Sequence, residues 1–271
     1  MITSLLLATV ALASQATAVC DRAKLKEATA TYLKAQAAGN PGLLPLAYAV
    51  VRYQENDAEI DINKSILSEA ITIDSHHSLH DTAECLTYTE ISTASHKHPY
   101  VINARFAFTS EHGIKAIQTV VSDAGDWLFN ATAWVSWSKK ENWDIIPENK
   151  RDTRAVIKAA GDAYLDSWGN GSVPVPYGTP CARLEGGIYT GDKKPQDNTC
   201  RMPEFPKPFW ISKRSYVIDE EVGGLGIFNE FPFIDVTKPN GTSSTNFFRV
   251  EGSKIRYIHE NTVCATKNCG R

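Results

Sequence analysis

The chain carries one sequence pattern twice, and this repetition limits what it can fold into. Residues 246–260 hold two runs of apolar, aromatic and β-branched residues around a Glu-Gly-Ser break. Residues 106–123 hold the same arrangement around a Glu-His-Gly break, which sets Ile114 against Ile255. Each stretch has the pattern of a β-hairpin. We therefore expect two hairpins in equivalent structural positions.

The correspondence continues upstream in the same order. The further matches are Ile117 with Ile258, Tyr100-Val-Ile-Asn103 with Tyr216-Val-Ile-Asp219, Tyr32-Leu33 with Tyr164-Leu165, Glu55 with Glu185, and Cys85 with Cys200. Chance can produce any one match, but a period of roughly 115 to 140 residues is the size of a domain. The series predicts a tandem duplication, with one domain at residues 19–149 and a second at 150–271.

Periodicity predicts the main elements of each copy. Apolar residues at helical spacing predict helices over residues 21–38 and 153–168, each ended by a glycine-containing turn. The expected strands are residues 83–91, 101–109, 114–121, 127–137, 215–222 and 226–234, followed by the closing hairpin. On its second arm, alternation places Ile255, Tyr257 and His259 on one face and Arg256, Ile258 and Glu260 on the other.

Several short motifs, taken in order, resemble a group of secreted fungal proteins with tandem NTF2-like, or SnoaL-like, domains. The motifs are Tyr53-x-Glu55-Asn56, His77-Ser-Leu-His-Asp81, Pro99-Tyr-Val-Ile102, Pro180-Cys-x-Arg-x-Glu-Gly-Gly187 with Tyr189-Thr190, Tyr216-Val-x-Asp-Glu220, and Phe248-Arg-Val-Glu251. The resemblance covers most of the mature chain. It implies an α+β fold of two tandem NTF2-like cone domains, each a curved, mostly antiparallel sheet with packed helices around a cavity. Because such sheets host enzymes and binding modules alike, it transfers no catalytic residue.

The N-terminus and the cysteines indicate secretion. Residues 2–18 carry no charged side chain, and their apolar run is too short for a membrane span and ends at Ala16-Thr-Ala18. We expect residues 1–18 to be a cleaved signal peptide. Six cysteines follow it, which predicts three disulfides. Fifteen pairings are possible; the favoured set is Cys181–Cys200, Cys20–Cys85 and Cys264–Cys269.

Composition limits the classes of molecule that the protein is expected to bind. A net charge of −3, without a cluster of basic residues, gives no electrostatic reason to bind nucleic acid or an anionic membrane. Four glycosylation sequons begin at Asn63, Asn130, Asn170 and Asn240, which fits a secreted glycoprotein. Small, apolar metabolites remain the expected partners, while oligomeric state is not predicted.

Candidate site residues occur in both copies. In the first copy Tyr53, Glu55, His80 and Asp81 could form an acid/base group at a cavity mouth, although Glu55 and Asp81 are also suited to capping and turns. In the second copy the comparable residues are Arg183, Glu185, Tyr189, Asp219 and His259. There His259 could remove a proton while Arg183 or Tyr189 stabilises the oxyanion; alternatively, Arg183 simply pairs with Glu185. The second copy is slightly favoured, because a Cys181–Cys200 bridge would fix its long loops.

No metal or cofactor is expected. His76, His77 and His80 are close in sequence, but neighbouring residues of a strand or loop point in different directions. The chain has no Gly-x-Ser-x-Gly, phosphate-binding, dinucleotide-binding or His-Glu-x-x-His motif. The sequence thus favours a cofactor-independent isomerase, dehydratase or cyclase that acts on a small apolar metabolite by acid/base chemistry. Metabolite profiling of a strain that lacks the gene is the most informative test. The alternative is a non-catalytic binding or interaction protein whose cavities are filled.

Overall fold

The computed structural model describes residues 20–48, 51–202, 207–232 and 234–269. The expected signal peptide lies outside these residues. The described chain forms two similar α+β units, each built around a six-stranded mixed sheet. Their topologies are the same strand for strand, as a duplication requires.

The first unit begins with helix α1 (Arg22–Ala38), which is capped at both ends. Asp21 accepts a hydrogen bond from the backbone N–H of Ala23, and Gly39 ends the helix with φ of 59°. Its strands are β1 (Arg52–Glu55), β2 (Ala58–Glu59), β3 (Ser75–Asp81), β4 (Leu86–Thr93), β5 (Tyr100–Phe108) and β6 (Ile114–Ser122). They lie in the order β2-β1-β6-β5-β4-β3, and only the β1–β6 pair is parallel.

A short helix leads from the first unit to the second. Helix α2 (Ala131–Ser138) occupies residues for which alternation predicted a strand. That prediction was wrong because Asn130 caps the first turn, accepting a hydrogen bond from the N–H of Ala133 at 3.0 Å. Trp134 then faces the protein interior, so the tryptophan pattern arises from one packed helical face.

The second unit repeats this arrangement. Helix α3 (Arg154–Asp166) is capped by Thr153. The strands are β7 (Tyr177–Glu185), β8 (Ile188–Tyr189), β9 (Ser212–Asp219), β10 (Gly224–Phe231), β11 (Thr242–Val250) and β12 (Ile255–Thr262). Their order is β8-β7-β12-β11-β10-β9, with β7 parallel to β12. Glu55 and Glu185 thus occupy equivalent positions, each at the end of the strand parallel to the closing hairpin.

Both closing hairpins contain the same bulge. The register shifts between Ala107 and Phe108 in the first unit and between Arg249 and Val250 in the second. Strict alternation therefore fails at the start of β12, and Ile255 joins the same apolar core as Ile258. The prediction that Ile255 shares a face with His259 was wrong, since alternation cannot register an extra residue.

The two sheets pack face to face between the helices. Helix α1 covers the outer face of the first sheet, where Tyr32 packs on Phe106. Helix α3 covers the outer face of the second sheet. A third core joins the sheets, with the ring of Tyr88 at 4.9 Å from Phe247 and 5.9 Å from Phe228. The layers therefore run helix, sheet, sheet, helix.

Three disulfides stabilise this arrangement. They join Cys20 to Cys85, Cys181 to Cys200 and Cys264 to Cys269, which confirms the favoured pairing. Such bonds fit a protein that folds in an oxidising, extracellular environment. Among the described residues no helix is long and apolar enough to cross a membrane.

Candidate functional site

A cluster of ionisable side chains lies on the outer face of the second sheet, under α3. We name Glu260, Arg183, Glu185, Tyr164 and Asn246 the Glu260 cluster. Tyr164 donates to Glu260 Oε1 at 2.6 Å, and the Asn246 amide donates to the same oxygen at 3.2 Å. Arg183 Nε lies 3.6 Å from Glu260 Oε2, and its Nη2 lies 3.5 Å from Glu185 Oε2. The expected Arg183–Glu185 pairing is confirmed, but a second carboxylate shares the guanidinium.

The strand register explains how this cluster forms. Strand β7 runs parallel beside β12, which pairs Arg183 with Ile258 and Glu185 with Glu260. The two carboxylates therefore lie side by side, and α3 places Tyr164 above them. Trp127, which precedes α2, donates its indole N–H to Glu185 at 2.6 Å. Each carboxylate thus has its own neutral donor in addition to the shared arginine.

Burial makes Glu260 chemically distinct. Its side chain is 6% exposed. Burial raises the pKa of Glu260 to about 7, with the guanidinium of Arg183 opposing the rise and the carboxylate of Glu185 adding to it. A carboxyl group with a pKa near 7 can both accept and donate a proton at neutral pH.

A cleft of about 1090 Å³ lies near this cluster, with Tyr177 between them. Its walls come from the turn after α3, from residues 171–177, and from Asn198, Arg201, Met202 and Pro208, and they include Trp168 and Tyr177. Tyr177 also packs edge-on against Tyr164, with ring centroids 6.2 Å apart. Burial raises the pKa of Tyr177 to about 12, and the charges of Arg183 and Glu260 also act on it. Tyr177 therefore connects the cleft to the Glu260 cluster.

His259 lies on the opposite face of β12, against the first sheet. Its Nδ1 is 2.9 Å from Glu90 Oε1, and its Nε2 is 2.6 Å from Glu141 Oε2. The three side chains are at most 2% exposed, and we name them the His259 triad. Burial opposes the charge of the imidazole, but Glu141 and Glu90 outweigh it and raise the pKa of His259 to about 10. Although burial acts against it, His259 lowers the pKa of Glu90.

The segment that links the two units covers this triad. Trp134 donates its indole N–H to Glu90 at 3.2 Å, and Trp143 donates to Glu141 at 3.1 Å. Tyr189 stacks on Trp137 with ring centroids 4.5 Å apart. Burial and the nearby carboxylate of Glu141 raise the pKa of Tyr189. The triad is thus a closed ionic junction of both sheets and the linking segment.

The prediction that His259 and Arg183 act on one substrate is wrong. Ile258 and Glu260 face α3, whereas His259 between them faces the first sheet. Arg183 follows Glu260 to the α3 side. A single bound molecule cannot contact both His259 and Arg183, because the sheet lies between them.

The first unit holds a smaller version of the Glu260 cluster. Tyr53 donates to Glu55 Oε2 at 2.8 Å and lies 3.1 Å from Thr119 Oγ1. Glu55 also accepts the backbone N–H of Ile66 at 2.9 Å. Thr119 stands where the second unit has Glu260, as their pairing with Glu55 and Glu185 shows. Tyr53 and Glu55 therefore meet as predicted, but without a second carboxylate or a cation.

Asp81 and Asp219 join the two units rather than line a cavity. Arg154 at the start of α3 binds both oxygens of Asp81, at 2.7 and 2.8 Å. Arg22 at the start of α1 binds both oxygens of Asp219, at 2.9 and 2.8 Å. The contacts are reciprocal, since each helix holds the carboxylate of the other unit.

His80 and His77 also contact side chains of other elements. The backbone N–H of His80 donates to Asp219, and its Nε2 lies 3.2 Å from Thr29 Oγ1. The ring of His77 reaches Ser138 Oγ at 2.9 Å on a different side of β3. Within the described parts of the chain no three His, Cys, Asp or Glu side chains converge as metal ligands would.

Sequence reasoning missed Glu260, Tyr164, Glu90 and Glu141 as members of these clusters. Tyr164 had a visible signal, because it is matched by Tyr32 in the duplication, and Glu260 lies on the closing hairpin that the sequence predicts. Glu90 and Glu141 had none, since they reach His259 from other parts of the chain.

Comparison with known proteins adds one match. Residues 150–262 match the family model described as Domain of unknown function (DUF8021). The match runs from just before α3 to the last residue of β12, which is less than half of the chain. No curated protein matches the chain.

Proposed function

We propose that this chain is a secreted, cofactor-independent enzyme that isomerises, dehydrates or cyclises a small metabolite by acid/base chemistry. The two units are then NTF2-like cones, and secondary-metabolite biosynthesis is the proposed setting. The observation that carries this proposal is the buried carboxyl group of Glu260 beside Arg183, in a cluster that Tyr177 connects to a cleft of about 1090 Å³. Among the sequence candidates, Arg183 and Glu185 belong to this site.

The chemistry follows from the positions of three groups. Glu260 removes a proton from a carbon or hydroxyl group that is acidified by a neighbouring carbonyl. Arg183 and the hydroxyl of Tyr164, 3.4 Å apart, stabilise the negative charge that develops on the carbonyl oxygen. Glu260 then returns the proton to another atom, which isomerises the substrate, or to a departing hydroxyl, which dehydrates it. Glu185 holds Arg183 in place.

The proposal is tested by metabolite profiling of a strain that lacks the gene. The expected result is an accumulated precursor that carries a carbonyl or hydroxyl group and differs from the lost product by an isomerisation, a loss of water or a ring closure. Adding the secreted wild-type protein to that precursor should form the product without an added cofactor. An unchanged profile, or a precursor that the protein leaves intact, would contradict the proposal.

The second candidate function is a non-catalytic secreted binding or interaction protein. The observation that favours it is that side chains fill the space between α3 and its sheet, including Tyr164, Phe248 and Ile258. In that case a metabolite would bind at the cleft and be recovered unchanged. Incubation of the precursor with stoichiometric protein, followed by mass spectrometry of the released molecule, separates the two functions.

A further inference from the structure

A second cavity lies between the two sheets, at the end of the interface away from α2. Its volume is about 300 Å³. Gln54 and Gln118 of the first sheet form one wall, and Phe228, Glu230 and Ser243 of the second sheet form the other. This volume is at the lower end of the roughly 300–1,000 Å³ typical of small-molecule sites, so it suits a molecule of one ring.

The duplication explains why this cavity exists. By strand register, Gln118 stands where the second unit has His259, and Phe228 stands where the first unit has Glu90. The cavity is therefore the counterpart of the His259 triad. The triad end is filled by the linking segment, whose Trp143 stacks 4.2 Å from Phe247. Because the chain has one such segment for two equivalent ends, the other end stays open.

The walls of the cavity offer uncommitted hydrogen-bonding groups. Gln54 and Gln118 are direct neighbours in the β1–β6 register. In the described part of the chain neither side-chain amide hydrogen-bonds to another residue, whereas His259 at the equivalent place has two partners. Two adjacent amides present donors and acceptors together, which matches neighbouring hydroxyl groups of a ligand.

The residues that line the cavity include two basic groups, Arg52 and Lys213, and two acidic groups, Asp57 and Glu230. Lys213 pairs with Glu230, and Arg52 pairs with Glu59 outside the cavity at 2.5 Å. The remaining carboxyl group, Asp57, lies near Glu230 and Ser243; burial raises its pKa, and the charge of Glu230 adds to the rise. A ligand with a net charge would meet repulsion from one sign or the other, so a neutral ligand fits best.

We propose that this cavity binds one neutral, polyhydroxylated molecule of the size of a single sugar ring. The amides of Gln54 and Gln118 bind its hydroxyl groups, and Phe228 lies at the apolar side of the ring. This site is separate from the Glu260 cluster and does not depend on the proposed enzymatic function.

The test is ligand-observed NMR on the full mature protein with a panel of glucose, galactose, mannose, N-acetylglucosamine and inositol. We expect saturation transfer to at least one of them. Gln118→Leu keeps the side-chain size but removes the amide, and should weaken binding at least tenfold. Ser243→Phe should abolish binding by filling the cavity. Thermal unfolding of both variants shows whether they remain folded.

The matched control is Gln196→Leu, which removes an exposed amide outside the cavity and should leave affinity unchanged. Glu260→Gln should also leave it unchanged, which separates this site from the proposed enzyme site. Zwitterionic serine and glutamine serve as further probes. The inference is overturned if no neutral probe binds, if only the zwitterions bind, or if Gln118→Leu binds as the wild type does.

Discussion

The two units share a backbone but differ in chemistry at two of three matched positions. Glu55 and Glu185 are the same residue in the same place. Beside them the first unit has Tyr53 and Thr119, whereas the second has Arg183 and Glu260. The first unit therefore has one carboxyl group and two hydroxyl groups linked by hydrogen bonds, and the second buries two carboxyl groups around one guanidinium. The fold is the same in both units, whereas the charged cluster occurs in the second.

The two ends of the sheet interface show the same divergence. One end places His259 between two buried carboxylates under a cover of tryptophans. At the other, Gln118 and Phe228 border a cavity of about 300 Å³. Because the backbone is equivalent at both ends, exchanging residues between them shows which differences matter.

The largest effect is expected from His259→Gln. This substitution places at the His259 triad the residue that stands at the equivalent position of the open cavity, Gln118. Removing the imidazolium leaves Glu90 and Glu141 buried without their cation, which should lower the free energy of unfolding by about 4 kcal/mol. The pKa of His259 is raised to about 10 in the folded protein. Its stabilisation is therefore complete below the unfolded pKa of about 6.5 and is lost as the pH rises through 10.

Urea unfolding at several pH values measures this difference. The reverse exchange, Gln118→His, is the matched control and should change stability by less than about 0.5 kcal/mol, because Phe228 stands where Glu90 pairs with His259. If His259→Gln lowers the unfolding free energy only slightly, or if the loss grows with pH, the ionic role of the triad is contradicted.

The next effect concerns the reciprocal ion pairs. Asp81→Asn removes the negative charge and one of the two acceptor oxygens that the Arg154 fork binds, and Asp219→Asn does the same for Arg22. Both aspartate side chains are fully buried. Each substitution should lower the unfolding free energy by about 3 kcal/mol. Equal losses in urea unfolding support a symmetric interface, whereas a loss confined to one variant would show that one unit dominates it.

A smaller effect should appear in the pH dependence of stability set by Glu260. Its folded pKa is about 7, raised from 4.5. Its contribution to stability is therefore fully present below 4.5 and is lost as the pH rises through 7. The wild type should lose up to about 3 kcal/mol relative to Glu260→Gln over this range. Thr119→Val is the matched control at the equivalent position. Because neither Thr nor Val ionises, its unfolding free energy should differ from that of the wild type by the same amount at every pH.

The smallest expected effect is that of Trp127→Phe, which removes the indole donor to Glu185 while keeping an aromatic ring. A hydrogen bond to a carboxylate contributes about 1.5 kcal/mol, so urea unfolding should show a loss of this size. Trp210→Phe is the matched control, since Trp210 is 65% exposed. If both variants lose the same unfolding free energy, the hydrogen bond from Trp127 to Glu185 does not stabilise the protein.

The sequence predicted the elements that depend on local pattern. Helices α1 and α3, the closing hairpins and the pairing of the cysteines follow from periodicity, turn residues and the duplication. Sequence patterns did not predict strands β1 and β7. The polar segment around Glu55 is short, and the stretch before Arg183 is rich in Pro and Gly, so both resemble loops. Those strands form only by pairing with distant β6 and β12. Since β7 carries Arg183 and Glu185, the composition of the Glu260 cluster depends on that long-range pairing.

The most direct test of the central claim compares Glu260→Gln with Glu55→Gln in the strain used for metabolite profiling. The account predicts that the strain producing Glu260→Gln accumulates the same precursor as the strain without the gene. The strain producing Glu55→Gln should match the wild type. Secreted amounts of both variants should be equal by immunoblot, so that folding does not explain the difference. Accumulation with Glu55→Gln alone would place the chemistry in the first unit and contradict the account.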